Sequence, residues 1–192
     1  MGRKRVNALS DQQLYDKILK VAEKCFKRYG VQRTRMEDIA REVGVSRPLI
    51  YKIFGSRQAI IEILTAREVD SILGVQAAAV SAASDFAECV VEGTVVGVEL
   101  SRKAGLLSGL VGESTSVMPE WVLDKDRSFY GMAMQVWAPV FELGRQSGMV
   151  RADLCDDELF EWLMSIHYML LMRKGLEASE VRRLTRIFVS LR

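Results

Sequence analysis

The stretch VGVSRPLIYKIF, residues 43–54, decides how the front of this chain is read. It sets three cationic or aromatic side chains, Arg47, Tyr51 and Lys52, among aliphatics that look like core. Gly44 stops one helix and supplies a sharp turn. Ser46 suits the cap of the next helix, and Pro48 falls in its first turn, where a missing N–H costs nothing. The spacing therefore predicts a short helix, RPLIYKI, closed by Gly55.

Working outward, Thr34 and Glu37 have the spacing of a capping box at the start of the short helix MEDIAREV. Ser10 and Gln13 repeat that spacing before a longer helix. Its Leu14, Ile18, Val21, Ala22, Cys25, Phe26 and Tyr29 recur on one helical face, and Gly30 ends it. Ser56 can cap a long fourth helix that begins near Arg57. Two short helices joined by Gly-Val-Ser and braced by a longer one make a helix-turn-helix. Ile39, Ala40, Val43, Val45, Ile50, Ile53 and Phe54 take the inward positions. Arg47, Pro48, Leu49, Tyr51 and Lys52 are left facing outward.

That outward set suits the major groove of DNA, which admits a helix with its N-terminal residues near the base edges. Arg47 can bond guanine O6 and N7, and Pro48 or Leu49 can touch a thymine methyl. Tyr51 and Lys52, further along, reach phosphates. Thr34 is expected at a helix N-terminus, an anion site. Arg35 and Arg57 flank the motif, and Arg3, Lys4 and Arg5 form a loose basic arm. Charge agrees: residues 1–57 hold 14 Lys/Arg against 6 Asp/Glu, whereas residues 58–192 hold 13 against 19. A basic front on an acidic body points to a polyanionic partner for the front alone.

TRMEDIAREVGVSRPLIYKIFGSRQAII, residues 34–61, closely resembles the DNA-binding signature of the TetR family of bacterial transcriptional regulators, and the likeness runs back to Ser10. The resemblance implies a cytoplasmic homodimer on a palindromic operator of double-stranded DNA, usually a repressor, released by a small effector held in the C-terminal domain. Position by position, it makes Thr34 and Tyr51 the phosphate-contacting pair, sets Lys52 and Arg57 against the backbone, and puts Arg47, Pro48 and Leu49 at base-reading positions. Pro48 and Leu49 stand where small or hydroxylated residues are common in the family. Ile53 replaces a frequent aromatic and Gly55 a frequent proline.

The whole chain reads as all-α: a helix-turn-helix domain over residues 1–57 and a helical ligand-binding and dimerisation domain over 58–192. In the second, a helix is expected from Ser84, the glycine-studded GLLSGLVGE (105–113) reads as a short mobile segment, and Pro139 is expected to kink a helix. Asp156 is the expected cap of DDELFEWLMSIHYMLLM. That helix is apolar almost all round, so it needs cover on both sides, and a second subunit is the expected second cover. Trp162, Ile166 and Leu170 there, with Leu184 and Phe188 on the last helix, are the candidate dimer interface. Trp121, Phe129, Met134, Trp137 and Tyr168 are the candidate lining of an adaptable apolar pocket. Few cations fall among them, so the expected effector is fairly hydrophobic and neutral. The sole histidine, His167, reads as a core or interface group.

Cys25, Cys89 and Cys155 have no metal-site spacing, and their odd number argues against a disulfide framework, so a reduced, cytoplasmic setting is expected. No apolar run is long enough to span a membrane, and the basic N-terminus lacks the apolar stretch of a signal peptide. No resident cofactor, metal cluster or catalytic triad can be picked out, so catalysis is not expected. The competing reading is a helical protein-interaction module that does not bind DNA.

Overall fold

The structure, a computed structural model, describes residues 10–107, 124 and 128–190. Among these residues the chain is helix and turn, with no strand. Backbone contacts divide it into two units, Met1–Arg67 and Glu68–Arg192. The division falls inside a helix, so the first unit keeps the opening turns of the fourth helix.

In the first unit, α1 spans Asp11–Tyr29, α2 Met36–Val43 and α3 Arg47–Phe54, and α4 begins at Arg57 and ends at Ser81. The Ser10 cap is as expected: its hydroxyl accepts from Gln13 N–H at 3.2 Å, and Gln13 Oε1 accepts from Ser10 N–H at 2.9 Å. The buried side of α1 is Ile18, Leu19, Ala22, Cys25 and Phe26, while Tyr29 is exposed. Burial pushes the Cys25 thiol above its ordinary range, which suits a packing residue. Gly44 ends α2 in the left-handed region at φ +81°, and its N–H donates to Ala40 O at 3.0 Å. Lys17 Nζ, from α1, donates to Val43 O at 3.1 Å, placing a cation at the negative end of α2.

In the second unit, α5 spans Phe86–Lys103, α6 Ser128–Gln146, α7 Asp156–Met172 and α8 Ala178–Ser190. Residues 105–107 are helical as well; the rest of GLLSGLVGE lies outside the described residues. The helix expected near Ser84 is α5, capped by Asp85, which accepts from Glu88 N–H at 2.9 Å. Cys155, not Asp156, is the cap residue of α7, its N–H bonded to Glu158 Oε2 at 2.9 Å. Pro139 lies inside α6, which continues to Gln146.

Helix α5 is the centre of this unit and packs on α6, α7 and α8. Its inward side carries Val90, Val91, Val95 and Val98, and Gly93 and Gly97 bring its backbone close to its neighbours. Trp137, Phe160 and Leu163 fill one apolar cluster; Val95, Val98, Ile166, Leu170 and Val181 fill another. Arg182 forks onto Glu92 at 2.9 and 2.7 Å, tying α8 to α5. Arg102, at the end of α5, donates to Leu170 O at 2.8 Å, Arg173 O at 3.0 Å and Leu176 O at 2.7 Å. It thereby satisfies carbonyls that the end of α7 leaves open. No helix among the described residues is long and apolar enough to cross a membrane.

Candidate nucleic-acid interface

Helix α3 is short, and its orientation is set by the residues that it buries. Ile50 is fully buried and Phe54 nearly so, with the Phe54 ring stacked on Tyr15 of α1 at 4.7 Å. Ser46 holds the helix entry with an extended backbone, and its carbonyl accepts from Leu49 N–H at 3.1 Å. Its hydroxyl makes no cap bond. The opposite side presents Arg47, Pro48, Tyr51 and Lys52, all exposed. Leu49 is half-buried and borders, with Leu14, Tyr15, Lys52 and Ile53, a shallow groove between α3 and α1.

Arg47 is held at the start of α3. Its Nη1 lies 2.6 Å from Glu37 Oε1 of α2, and its Nη2 is 3.4 Å from the Tyr51 hydroxyl. The guanidinium also stands 5.2 Å from the Tyr51 ring centroid. The Tyr51 hydroxyl first, and the Glu37 carboxylate second, raise the guanidinium pKa above its ordinary value.

Two expected contact residues are placed differently. Thr34 does not cap α2. It is 1% exposed, and its hydroxyl donates to Gly30 O at 2.8 Å and Cys25 O at 3.2 Å. Both acceptors are backbone carbonyls of this chain, so the hydroxyl is engaged inside the fold and is not presented to a phosphate. The cap position of α2 falls to Arg35, whose N–H donates to Asp38 Oδ2 at 3.0 Å. That bond holds the Asp38 carboxyl below its ordinary range. Arg57 is also engaged within the chain: Nε donates to Thr34 O at 2.8 Å, Nη2 donates to Val31 O, and the guanidinium stands 5.7 Å from the Phe26 ring. It braces the loop before α2. Arg35 remains exposed.

In the second unit, Phe129, Met134, Trp137 and Tyr168 all belong to one apolar cluster, with Trp137 fully buried. Trp121 lies outside the described residues. Beside Trp137, polar groups gather around Gly97: a Cβ there would stand 2.2 Å from Gln76 Nε2 and 2.4 Å from His167 Nε2. Gln76 donates to Gly93 O at 2.8 Å. The Thr94 hydroxyl is buried without a partner, and His167 Nδ1 faces back toward Leu163 without a well-formed bond. Burial lowers the His167 pKa to about 4, so the ring is neutral at pH 7.

The candidate dimer residues divide. Ile166 and Leu170 are buried within the chain, at 6% and 0% exposure, against Val95, Val98 and Val181; they are core rather than outer surface. Leu184 and Phe188 pack partly on the same cluster. Trp162 is 44% exposed, together with Met169 and Met172 on α7 and Ile187 on α8. An all-round apolar helix gives no sign of which side its own chain covers, which is why Met169 and Met172 escaped the sequence reading.

Residues 18–64 match the family described as bacterial regulatory proteins, tetR family. No curated protein sequence matches the chain. Among solved structures, the transcriptional regulator FadR from Bacillus subtilis, in complex with stearoyl-CoA, is 13% identical with a TM-score of 0.69, over 91% of this chain and 97% of that one. A putative transcriptional regulator from Saccharomonospora viridis, in complex with choline, is 24% identical with a TM-score of 0.63, over 93% and 96%. A TetR/AcrR-family regulator from Thermobifida fusca is 18% identical with a TM-score of 0.64, over 93% and 97%. At these identities the likeness is one of fold. Residues 18–64 thus carry a match to the family's helix-turn-helix region, and the fold along the chain is similar to that of such regulators.

Proposed function

We propose that the protein is a ligand-responsive repressor that binds a palindromic operator as a homodimer in the cytoplasm and is released by a small, neutral, fairly hydrophobic molecule. One observation carries the DNA part: α3 buries Ile50 and Phe54 and leaves Arg47, Pro48, Tyr51 and Lys52 on the outside. A helix held in this way offers a guanidinium fork to base edges and a hydroxyl and an ammonium to phosphates. Exposed Trp162, Met169, Met172 and Ile187 favour a second copy as cover for α7 and α8.

The ligand reading rests on the second unit's interior. Among its described residues, the buried polar side chains are Gln76, Thr94 and Thr185, and the ionisable group beside Gln76, His167, is neutral at pH 7. Burying a charged ligand head without a counter-charge costs several kcal/mol or more. A neutral molecule with a hydrogen-bonding group fits better, beside Trp137 and the under-partnered Thr94 and His167. Stearoyl-CoA and choline, held by two related folds, are unlike each other, and at 13% and 24% identity neither ligand carries over to this chain.

The test is selection of bound duplexes from a random DNA pool at near-physiological salt. An inverted repeat is the expected product, and its half-site spacing would give the dimer geometry. Folded protein that enriches no sequence would overturn simple ligand-released repression in favour of a protein-interaction module.

A further inference from the structure

We infer that Glu37 is a specificity-determining residue of the DNA-reading surface. It acts by positioning Arg47 for guanine and by repelling the phosphate backbone where that fit is missing. The inference rests on the DNA-binding reading above.

Glu37 lies in the first turn of α2, and Arg47 is the first residue of α3. Their side chains meet at 2.6 Å across the turn of the motif. Tyr51, one turn along α3, completes the clamp through its hydroxyl at 3.4 Å and its ring face at 5.2 Å. An exposed arginine ordinarily samples many rotamers, and ordering it on DNA costs binding energy. Here a carboxylate and an aromatic ring restrict it beforehand. Glu37 occupies one side of Nη1, and the guanidinium has five N–H donors, so a pair remains for guanine O6 and N7.

The pair contributes little to folding. Its side chains are 53% and 50% exposed, and solvent screens such pairs heavily. Glu37 also suits the positive end of α2, but that role would leave base preference untouched. What sets Glu37 apart is its company. It is a carboxylate paired with the exposed Arg47, whereas Asp38 in the same turn is taken up by Arg41 and the Arg35 N–H. On a non-cognate duplex its charge meets phosphate with no guanine contact in return. On a cognate duplex Arg47 bridges the carboxylate and the base. Glu37 thus gives up general affinity and gains discrimination.

The experiment compares full-length wild type, Glu37→Gln, Arg47→Lys and the variant carrying both on three duplexes at one salt concentration. These are the selected operator, the operator with the guanine lost from Arg47→Ala selection replaced, and a random sequence. Glu37→Gln is expected to bind the random duplex roughly 3- to 10-fold tighter. Its preference for operator over the base-changed duplex is expected to fall by about tenfold. Arg47→Lys keeps the charge but lacks the fork, so adding Glu37→Gln to it should cost no further preference. Equal tightening on all three duplexes would reduce Glu37 to a repulsive surface charge and overturn the inference, as would no change on any. A melting temperature shared with wild type guards against a folding explanation. Wild-type protein that selects no sequence would defeat the DNA reading and this inference together; a selected palindrome with an indifferent Glu37→Gln would defeat this inference alone.

Discussion

Arg47 and Lys52 stand on one exposed side of a single short helix, yet they should fail differently when removed. Arg47→Ala is expected to lower operator affinity by roughly 10- to 100-fold and to flatten base preference at one half-site position. Lys52→Ala should weaken all duplexes alike and reduce the salt slope by about one. Quantitative binding across a salt series separates the two. Both residues were legible in the sequence because Ile50 and Phe54 fix which side of α3 turns inward. Thr34 was not. Its role depends on two backbone carbonyls, Cys25 O nine residues back and Gly30 O four back, and no capping pattern reveals them. Thr34→Val should therefore cost about 0.5–1.5 kcal/mol of stability, by removing that buried hydrogen bond, in a denaturant titration. Its effect on DNA affinity should only follow from that loss.

Helices themselves were legible from their punctuation. Gly30, Gly44 and Gly55 close α1, α2 and α3 where the sequence places them, because a backbone at positive φ penalises every other residue. Caps were read less well in the second unit. Asp156 has the side chain of a cap residue, yet Cys155 takes the position, its N–H bonded to Glu158. What could not be read at all was Arg102. One side chain bonding three carbonyls, at the end of α7 and in the turn after it, requires two elements far apart in sequence to meet. Arg102→Ala should lower stability by about 1.5–3 kcal/mol, and hydrogen exchange should show the end of α7 opening first. Gly97 gives a steric counterpart. A methyl group there meets Gln76 and His167 well inside contact distance, so Gly97→Ala should displace both and cost about 1–3 kcal/mol by calorimetry.

For the whole molecule, His167 links stability to pH. Its pKa is about 4 in the folded chain, against an ordinary 6.5. Between those values the unfolded chain binds the extra proton. Stability should therefore be fully present above about pH 6.5 and fall as pH drops toward 4, by at most about 3 kcal/mol from this group. Denaturant unfolding at pH 7 and pH 5 should show the loss, and His167→Phe should flatten it. Assembly is the other property at this scale. Trp162→Lys and Ile187→Lys should each shift sedimentation toward the monomer, whereas a wild type that sediments as a monomer would remove the symmetric operator with it. Overall class and motif were visible from residues 10–61, where function constrains local pattern. The second unit was visible only as helices, because its partners in packing are set by contacts the chain makes with itself.

The two tryptophans of α6 and α7 have an optical consequence. Trp137 is fully buried, and Trp162 is nearly half open to solvent. With Trp121→Phe removing the third, Trp137 would emit at the blue end and Trp162 at the red end of the indole range. Quenching by iodide would reach Trp162 and spare Trp137. Ligand entry beside Trp137 would then alter the blue component, and subunit association over α7 the red one. The protein carries its own two-colour assay, one channel for the interior and one for the outer surface, without an added dye.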